Sequence, residues 1–235
     1  MRVHNIQQFE DTDHIYIAME FMPNGDLQRY IDKGSLLVES EAVIITRQVA
    51  TALQYMHTHG FAHRDLKPSV RSFHDHDLLP TAYLGYQLMY ATFKNILISS
   101  KGPSWHVKLA DFGLSTSSTG APVSNDYILT SGYIPPELVD TPDNYKAAVD
   151  VWALGAVVFC MLTGAPPFQK LDDMLGYCAS IRHFPVRSLR TASGMCIDLV
   201  LGAMEPEPAE RLSISDVLDH KWLLVDPSAA SQAHL

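Results

Sequence analysis

The sequence predicts an α+β fold in which a helical lobe outweighs a small β part. Three observations carry this. β-branched and aromatic residues crowd the run at 14–21, near the start of the chain. Apolar residues recur at helical spacing through the segment 40–59. The stretch 150–163 is apolar on nearly every side, so it belongs inside a core and not on its surface.

The elements follow in order. Residues 14–21, His-Ile-Tyr-Ile-Ala-Met-Glu-Phe, read as a strand that Pro23, Asn24 and Gly25 interrupt. A short helix is expected over 26–32. Over 40–59 the periodic positions are Ile44, Ile45, Val49, Ala52, Leu53 and Met56, with Gly60 as the C-terminal stop. Arg47, Gln48 and Gln54 fall on the face of that helix left to solvent. Strand-like pieces occur at 61–63, 96–98 and 107–110. Residues 114–131, rich in Ser, Thr, Gly and Asn, read as a loop. The helix over 150–163 ends at Gly164, and Pro166 and Pro167 enforce the stop. Ser213, with Asp216 three residues on, opens a last helix through an Asp version of the capping box. From 225 to 235 the chain is small and polar and reads as a disordered tail.

Composition narrows the class. The 235 residues are 47% hydrophobic and 18% charged, enough apolar content to bury a sizeable core and too much for a disordered chain. A net charge of −9 without any long Lys/Arg run argues against nucleic acid or an anionic membrane as the main partner. Cys160, Cys178 and Cys196 are odd in number and lack CxxC spacing, so neither a disulfide framework nor a zinc site is expected. The first eight residues hold no apolar signal core, and the most hydrophobic stretch, 151–162, is too short to cross a bilayer. The expected setting is the cytoplasm, with the nucleus as the alternative.

The chemistry lies in short strings. Residues 63–68 read His-Arg-Asp-Leu-Lys-Pro, 111–113 read Asp-Phe-Gly, and 135–137 read Pro-Pro-Glu. Further on come Asp-Val-Trp-Ala-Leu-Gly at 150–155 and His-Lys-Trp-Leu at 220–223. Each string alone arises easily by chance; in this order they resemble the eukaryotic protein kinase family. Lys67 resembles the serine/threonine branch. The resemblance spans nearly the whole chain apart from 70–94 and the tail.

The resemblance implies a kinase-like architecture: 1–22 as a remnant of the small β lobe and hinge, and 23–224 as the large helical lobe, interrupted at 70–94. It implies a serine/threonine kinase catalytic domain that uses ATP and Mg²⁺ to phosphorylate Ser or Thr of a protein substrate. Phosphoryl transfer asks for positioning and charge stabilisation more than for covalent chemistry. Asp65 would then be the catalytic base and Lys67 would steady the γ-phosphate. Asp111 would be the main magnesium ligand and Asn95 the second, hard oxygen donors for a hard ion. The carbonyl of Glu20 and the N–H of Met22 would pair with adenine, Asp26 would meet the ribose, and Leu97 would lie under the ring. Asp26 reads equally well as a cap for the short helix. The resemblance also implies a Glu137–Arg211 ion pair, a purely structural Asp150, and His63 as a packed core residue. Arg64 would pair with a phosphate on the loop 115–131, and Thr130 would contact Asp65 and Lys67.

Two departures set this chain apart. No Gly-x-Gly occurs in the sequence; the family's glycine-rich loop and nucleotide-gripping Lys would precede His4, so the chain reads as beginning late in the small lobe. Asn95 follows Asp65 by 30 residues, and removing 70–94 leaves His-Arg-Asp-Leu-Lys-Pro-Ser-Asn-Ile-Leu-Ile, which restores the family spacing. Val70 and Arg71 can be encoded from GTAAG and Lys94 by a codon ending in AG, so a retained intron is one reading. A genuine loop insertion is the other. Its closure entropy costs on the order of 1–2 kcal/mol, but Phe73, Leu78, Leu79, Tyr83 and Tyr86 would need cover. The alternating His and Asp run at 74–77 reads as solvated, with nothing to fix a metal geometry. Negligible activity is expected of these 235 residues, and the rival class is a catalytically dead, pseudokinase-type interaction module.

Overall fold

A computed structural model describes residues 5–11, 15–63, 67–69, 91–92, 95–110, 116–117, 133, 135–140 and 147–225. The small β part opens with an antiparallel hairpin of β1 (Asn5–Glu10) and β2 (Ile15–Met19). Two helices follow, α1 (Leu27–Asp32) and α2 (Glu39–Thr58). Short strands come next: β3 (Phe61–Ala62), β4 (Lys67–Ser69), β5 (Ala91–Thr92), β6 (Ile96–Ser100), β7 (His106–Leu109) and β8 (Thr116–Ser117). They pair as three antiparallel ladders, β3 with β8, β4 with β5, and β6 with β7. The rest is helical: α3 (Glu137–Asp140), α4 (Ala148–Thr163), α5 (Leu171–Cys178), a 3₁₀ turn (Val186–Leu189), α6 (Gly194–Ala203), α7 (Ile214–Asp219) and α8 (Lys221–Leu224). This is the helix-dominated α+β arrangement expected.

α4 is the axis of the core. Its residues from Val149 to Met161 are all buried, as the all-round apolar pattern requires. Each large side chain so buried contributes about 1.5–3 kcal/mol. α2 and α6 both pack against α4. Gly155 permits the second contact, since a Cβ there would lie 2.7 Å from Met204 Cγ. Gly164 ends α4 at φ +78°, where a side chain would be strained, and its N–H bonds the carbonyl of Cys160 at 2.8 Å.

α2 is amphipathic with one exception to its expected pattern. Gln48 is buried and not on the solvent face. Its Nε2 donates to the carbonyl of Trp105 at 2.9 Å, and its Oε1 accepts from Val107 N–H at 3.0 Å. The side chain substitutes for a missing strand partner along the edge of β7, where α2 packs. An unpaired backbone N–H buried there would cost about 1–3 kcal/mol. At its other end α2 is tied to distant helices by Glu39. Its carboxylate accepts from Ser193 N–H at 2.7 Å and from Trp222 Nε1 at 2.7 Å.

The last capping box forms as expected. Ser213 Oγ accepts from Asp216 N–H at 3.2 Å, and Asp216 Oδ2 accepts from Ser213 N–H at 2.9 Å. The hydroxyl of Ser213, and then its N–H, hold the Asp216 carboxyl below its ordinary range. The three cysteines are free thiols; burial pushes Cys160 and Cys196 up to about 12 and Cys178 to about 11, so none is activated at neutral pH. Among the described residues, no helix is long and apolar enough to cross a membrane.

Candidate active site

Asn95, Ala110 and His63 meet at one point. Asn95 is buried and immediately precedes β6; Ala110 immediately follows β7. The ladder sets Ile96 opposite Leu109, which brings the two flanking residues together. Ala110 N–H then donates to the Asn95 carbonyl at 2.8 Å. The Ala110 carbonyl lies 3.2 Å from His63 Nε2. A carbonyl only accepts, so Nε2 carries the proton. One residue with no functional side chain thus joins the segments that lead to Asp65, Asn95 and Asp111.

α4 anchors this junction from below. His63 N–H donates to Asp150 Oδ2 at 2.7 Å, and His57 Nε2 donates to the same oxygen at 2.9 Å. The Asp150 side chain is 1% exposed. A buried carboxylate needs donors, and two segments 93 and 87 residues away in sequence supply them. Asp150 and His63 are therefore structural, as expected. His57 was missed: its partner is remote in the chain, so no local spacing points to it.

The linker from β2 to α1 is docked on the β6–β7 hairpin. Lys108 Nζ donates to both carboxylate oxygens of Glu20 at 2.8 Å. Asn24 Nδ2 donates to the carbonyl of Ser99 at 2.8 Å, and Ile98 N–H to that of Gly25 at 2.8 Å. Gly25 takes φ +71° and its N–H closes a turn onto the Met22 carbonyl at 3.2 Å. Asp26 bridges Leu97 and caps α1, its Oδ1 accepting from Arg29 N–H at 2.8 Å. Leu97 is half-buried between the buried Ile96 and Ile98, as strand alternation requires. Glu20, Met22, Asp26 and Leu97 are thus brought into one neighbourhood. Lys108 and Ser99, which hold them there, carried no sequence signal.

Lys67 lies in β4, opposite Thr92 of β5, with Ser69 opposite Ala91. The chain therefore leaves and returns at one place around the segment 70–94. Asp65 and Asp111 lie outside the described residues, as do Arg64, Thr130 and the His-Asp run at 74–77. Downstream, the expected Glu137–Arg211 pair is present and bidentate, at 2.6 and 2.9 Å. Arg211 also donates to the carbonyls of Glu205 and Ala148 and stacks 5.0 Å from the Trp152 ring. That clamp fixes α3 against the start of α4.

The comparisons agree with this geometry. The model of the protein kinase domain family matches residues 3–70 and 93–223. The chain belongs to the eukaryotic protein kinase family, in its serine/threonine branch. It is 32% identical over 220 residues to serine/threonine-protein kinase ULK3 of Homo sapiens, covering 91% of this chain and 40% of that protein. It is 29% identical to serine/threonine-protein kinase RAD53 of Saccharomyces cerevisiae, covering 93% of this chain and 25% of that protein. The chain spans less than half the length of these relatives. Among solved structures, the Rad53 kinase domain with SCD2 superposes at a TM-score of 0.70 with 25% identity, covering 97% of this chain and 71% of that one. Rad53 1–466 in complex with AMP-PNP gives 0.68 with 26% identity, covering 94% and 50%. The family match is interrupted at 71–92, inside the segment that spacing sets apart.

Proposed function

We propose that this chain carries the large-lobe machinery of a protein serine/threonine kinase that transfers the γ-phosphate of ATP to Ser or Thr of a protein substrate. The observation that supports it most is the Ala110 junction, which ties Asn95 to His63 and so to the catalytic segment two residues further on. Asn95 offers a hard amide oxygen from a buried position, and with the carboxylate of Asp111 the donor set suits Mg²⁺. Bound Mg²⁺ would neutralise charge on the phosphates.

The chain's own residues do the rest. Asp65 accepts the proton of the substrate hydroxyl, and Lys67 holds charge on the transferred group. Glu20 and Met22 present backbone groups to adenine from a linker that Lys108, Ser99 and Ile98 hold in place. Asp26 uses Oδ1 as a helix cap, and its other oxygen meets the ribose. Leu97 lies beneath the ring. Arg64 answers a phosphate on the loop 115–131.

The 235 residues contain no Gly-x-Gly and hold 25 residues between Ser69 and Asn95. As they stand they bind Mg-ATP weakly and transfer phosphate negligibly. The 25 residues between Ser69 and Asn95 favour the second reading, a pseudokinase-type interaction module. Calorimetric titration of AMP-PNP into the chain with 70–94 removed and a glycine-rich small lobe supplied separates the two. Binding that requires Mg²⁺ and is lost in Asp111→Asn is expected. Binding indifferent to Mg²⁺ and to Asp111→Asn would favour the interaction module.

A further inference from the structure

A cleft of about 690 Å³ opens on the helical lobe between the end of α4, α5 and the 3₁₀ turn. No residue assigned above to catalysis, metal or nucleotide lines it. Its volume falls in the range of ligand sites, about 300–1,000 Å³.

The floor is apolar and fixed. Leu36, Leu162 and Pro166 supply its accessible surface, over the buried Phe159, Pro167 and Phe168. Phe168 stacks on Trp152 and Tyr177 at 6.4 and 5.4 Å and meets Phe184 edge-on at 5.7 Å. The rim is cationic. Lys170 comes from the residue before α5, Arg182 from the loop after it, and Arg190 from the end of the 3₁₀ turn, with the imidazole of His183 on the same rim. All four are exposed. Asp173 is the acidic residue in the lining, and Arg182 already pairs with it. The side chains of Lys170 and Arg190 have no hydrogen bond or ion pair among the described residues. Three separate segments thus bring an excess of positive charge to one rim of a chain whose net charge is −9.

Arg182 is also held in place. Its stem lies over Gly176, where a Cβ would come within 2.8 Å of Arg182 Cδ. Its own N–H and that of Ile181 bond the Gly176 carbonyl at 2.9 Å. A guanidinium offers five N–H donors in a fixed fork, so the pair with Asp173 leaves donors for a second carboxylate.

We propose that this cleft docks an acidic peptide segment of a partner protein, with an apolar side chain against Leu36, Leu162 and Pro166 and carboxylates on Lys170, Arg182 and Arg190. Unpaired cations around an apolar floor select for that combination. Two copies of a chain of net charge −9 repel each other as whole molecules, which disfavours self-docking.

The probe is fluorescein-labelled Glu-Glu-Asp-Leu-Phe-Asp-Glu-Glu, titrated by anisotropy into the 235-residue protein. Saturable binding is expected. It should weaken about tenfold or more in the double variant Lys170→Glu/Arg190→Glu with an unchanged melting transition. It should weaken likewise when Leu-Phe becomes Gly-Gly or when the acids become amides. The peptide changes keep the test decisive even if the double variant fails to fold. No saturable binding, equal binding by the amide peptide, or undiminished binding by the folded double variant would overturn the proposal. Equal binding by the Gly-Gly peptide would overturn it too, since diffuse attraction to polyanions would then account for the signal.

Discussion

Ala110 contributes no side-chain chemistry, yet both its backbone groups are committed to the site. The side chain that can be removed is His63. Truncation in His63→Ala leaves the Ala110 carbonyl without that donor in a buried place, at a cost of about 1–3 kcal/mol. Urea denaturation should show a lower midpoint with an unchanged slope. Arg211 is the second residue to test. Its side chain is fully buried and that of Glu137 is 11% exposed. Arg211→Met removes the bidentate partner of a largely buried carboxylate and should cost roughly 3–5 kcal/mol. Adding Glu137→Met should restore part of that loss, because the buried charge goes with it. Additive losses in the double-mutant cycle would show that the pair is not coupled.

At the scale of elements, α4 and the final capping box carry the clearest expectations. Trp152 has no exposed surface, and Trp152→Asp should prevent soluble expression. Unchanged yield and melting temperature would contradict the place given to α4. Ser213→Ala should cost about 1 kcal/mol, the usual value of a lost N-cap. The pH dependence has a definite sign. The folded-state pKa of Asp216 is lowered, so its contribution is complete above the usual unfolded Asp range. It is lost as pH falls through the folded value. Asp216→Asn should flatten that acid limb of the stability curve, as melts at successive pH values would show.

The same elements show what was legible in the sequence. α4, its Gly164 stop, the Ser213 box and the α2 period depend on neighbours within a few positions, and all were readable there. Gln48 was not, because its partners on β7 lie 57 and 59 residues away and only the packing of α2 brings them near. The motif strings marked Asp65, Asn95 and Asp111 as a set. The contacts that bring Asn95 near His63, from His57 to Asp150 to His63 to Ala110, are tertiary and leave no pattern in the chain.

For the whole molecule, the proposed activity turns on the segment 70–94 and on a nucleotide-covering lobe. β5 is part of that segment and pairs with β4, so excision removes this two-residue ladder with the insertion and should leave the helical core intact. The shorter closure should change stability by no more than about 2 kcal/mol, and thermal melts of the two proteins would check this. Catalysis is far more sensitive, since a misplacement of about 1 Å can cost about 10²-fold. The most direct measurement is transfer of labelled phosphate from ATP to a generic Ser/Thr substrate. It compares the 235-residue chain, the chain lacking 70–94 with a glycine-rich small lobe supplied, and the latter carrying Asp65→Asn. The account predicts negligible transfer by the first, clear transfer by the second, and loss again in the third. Robust turnover by the unmodified chain that Asp65→Asn abolishes would contradict it.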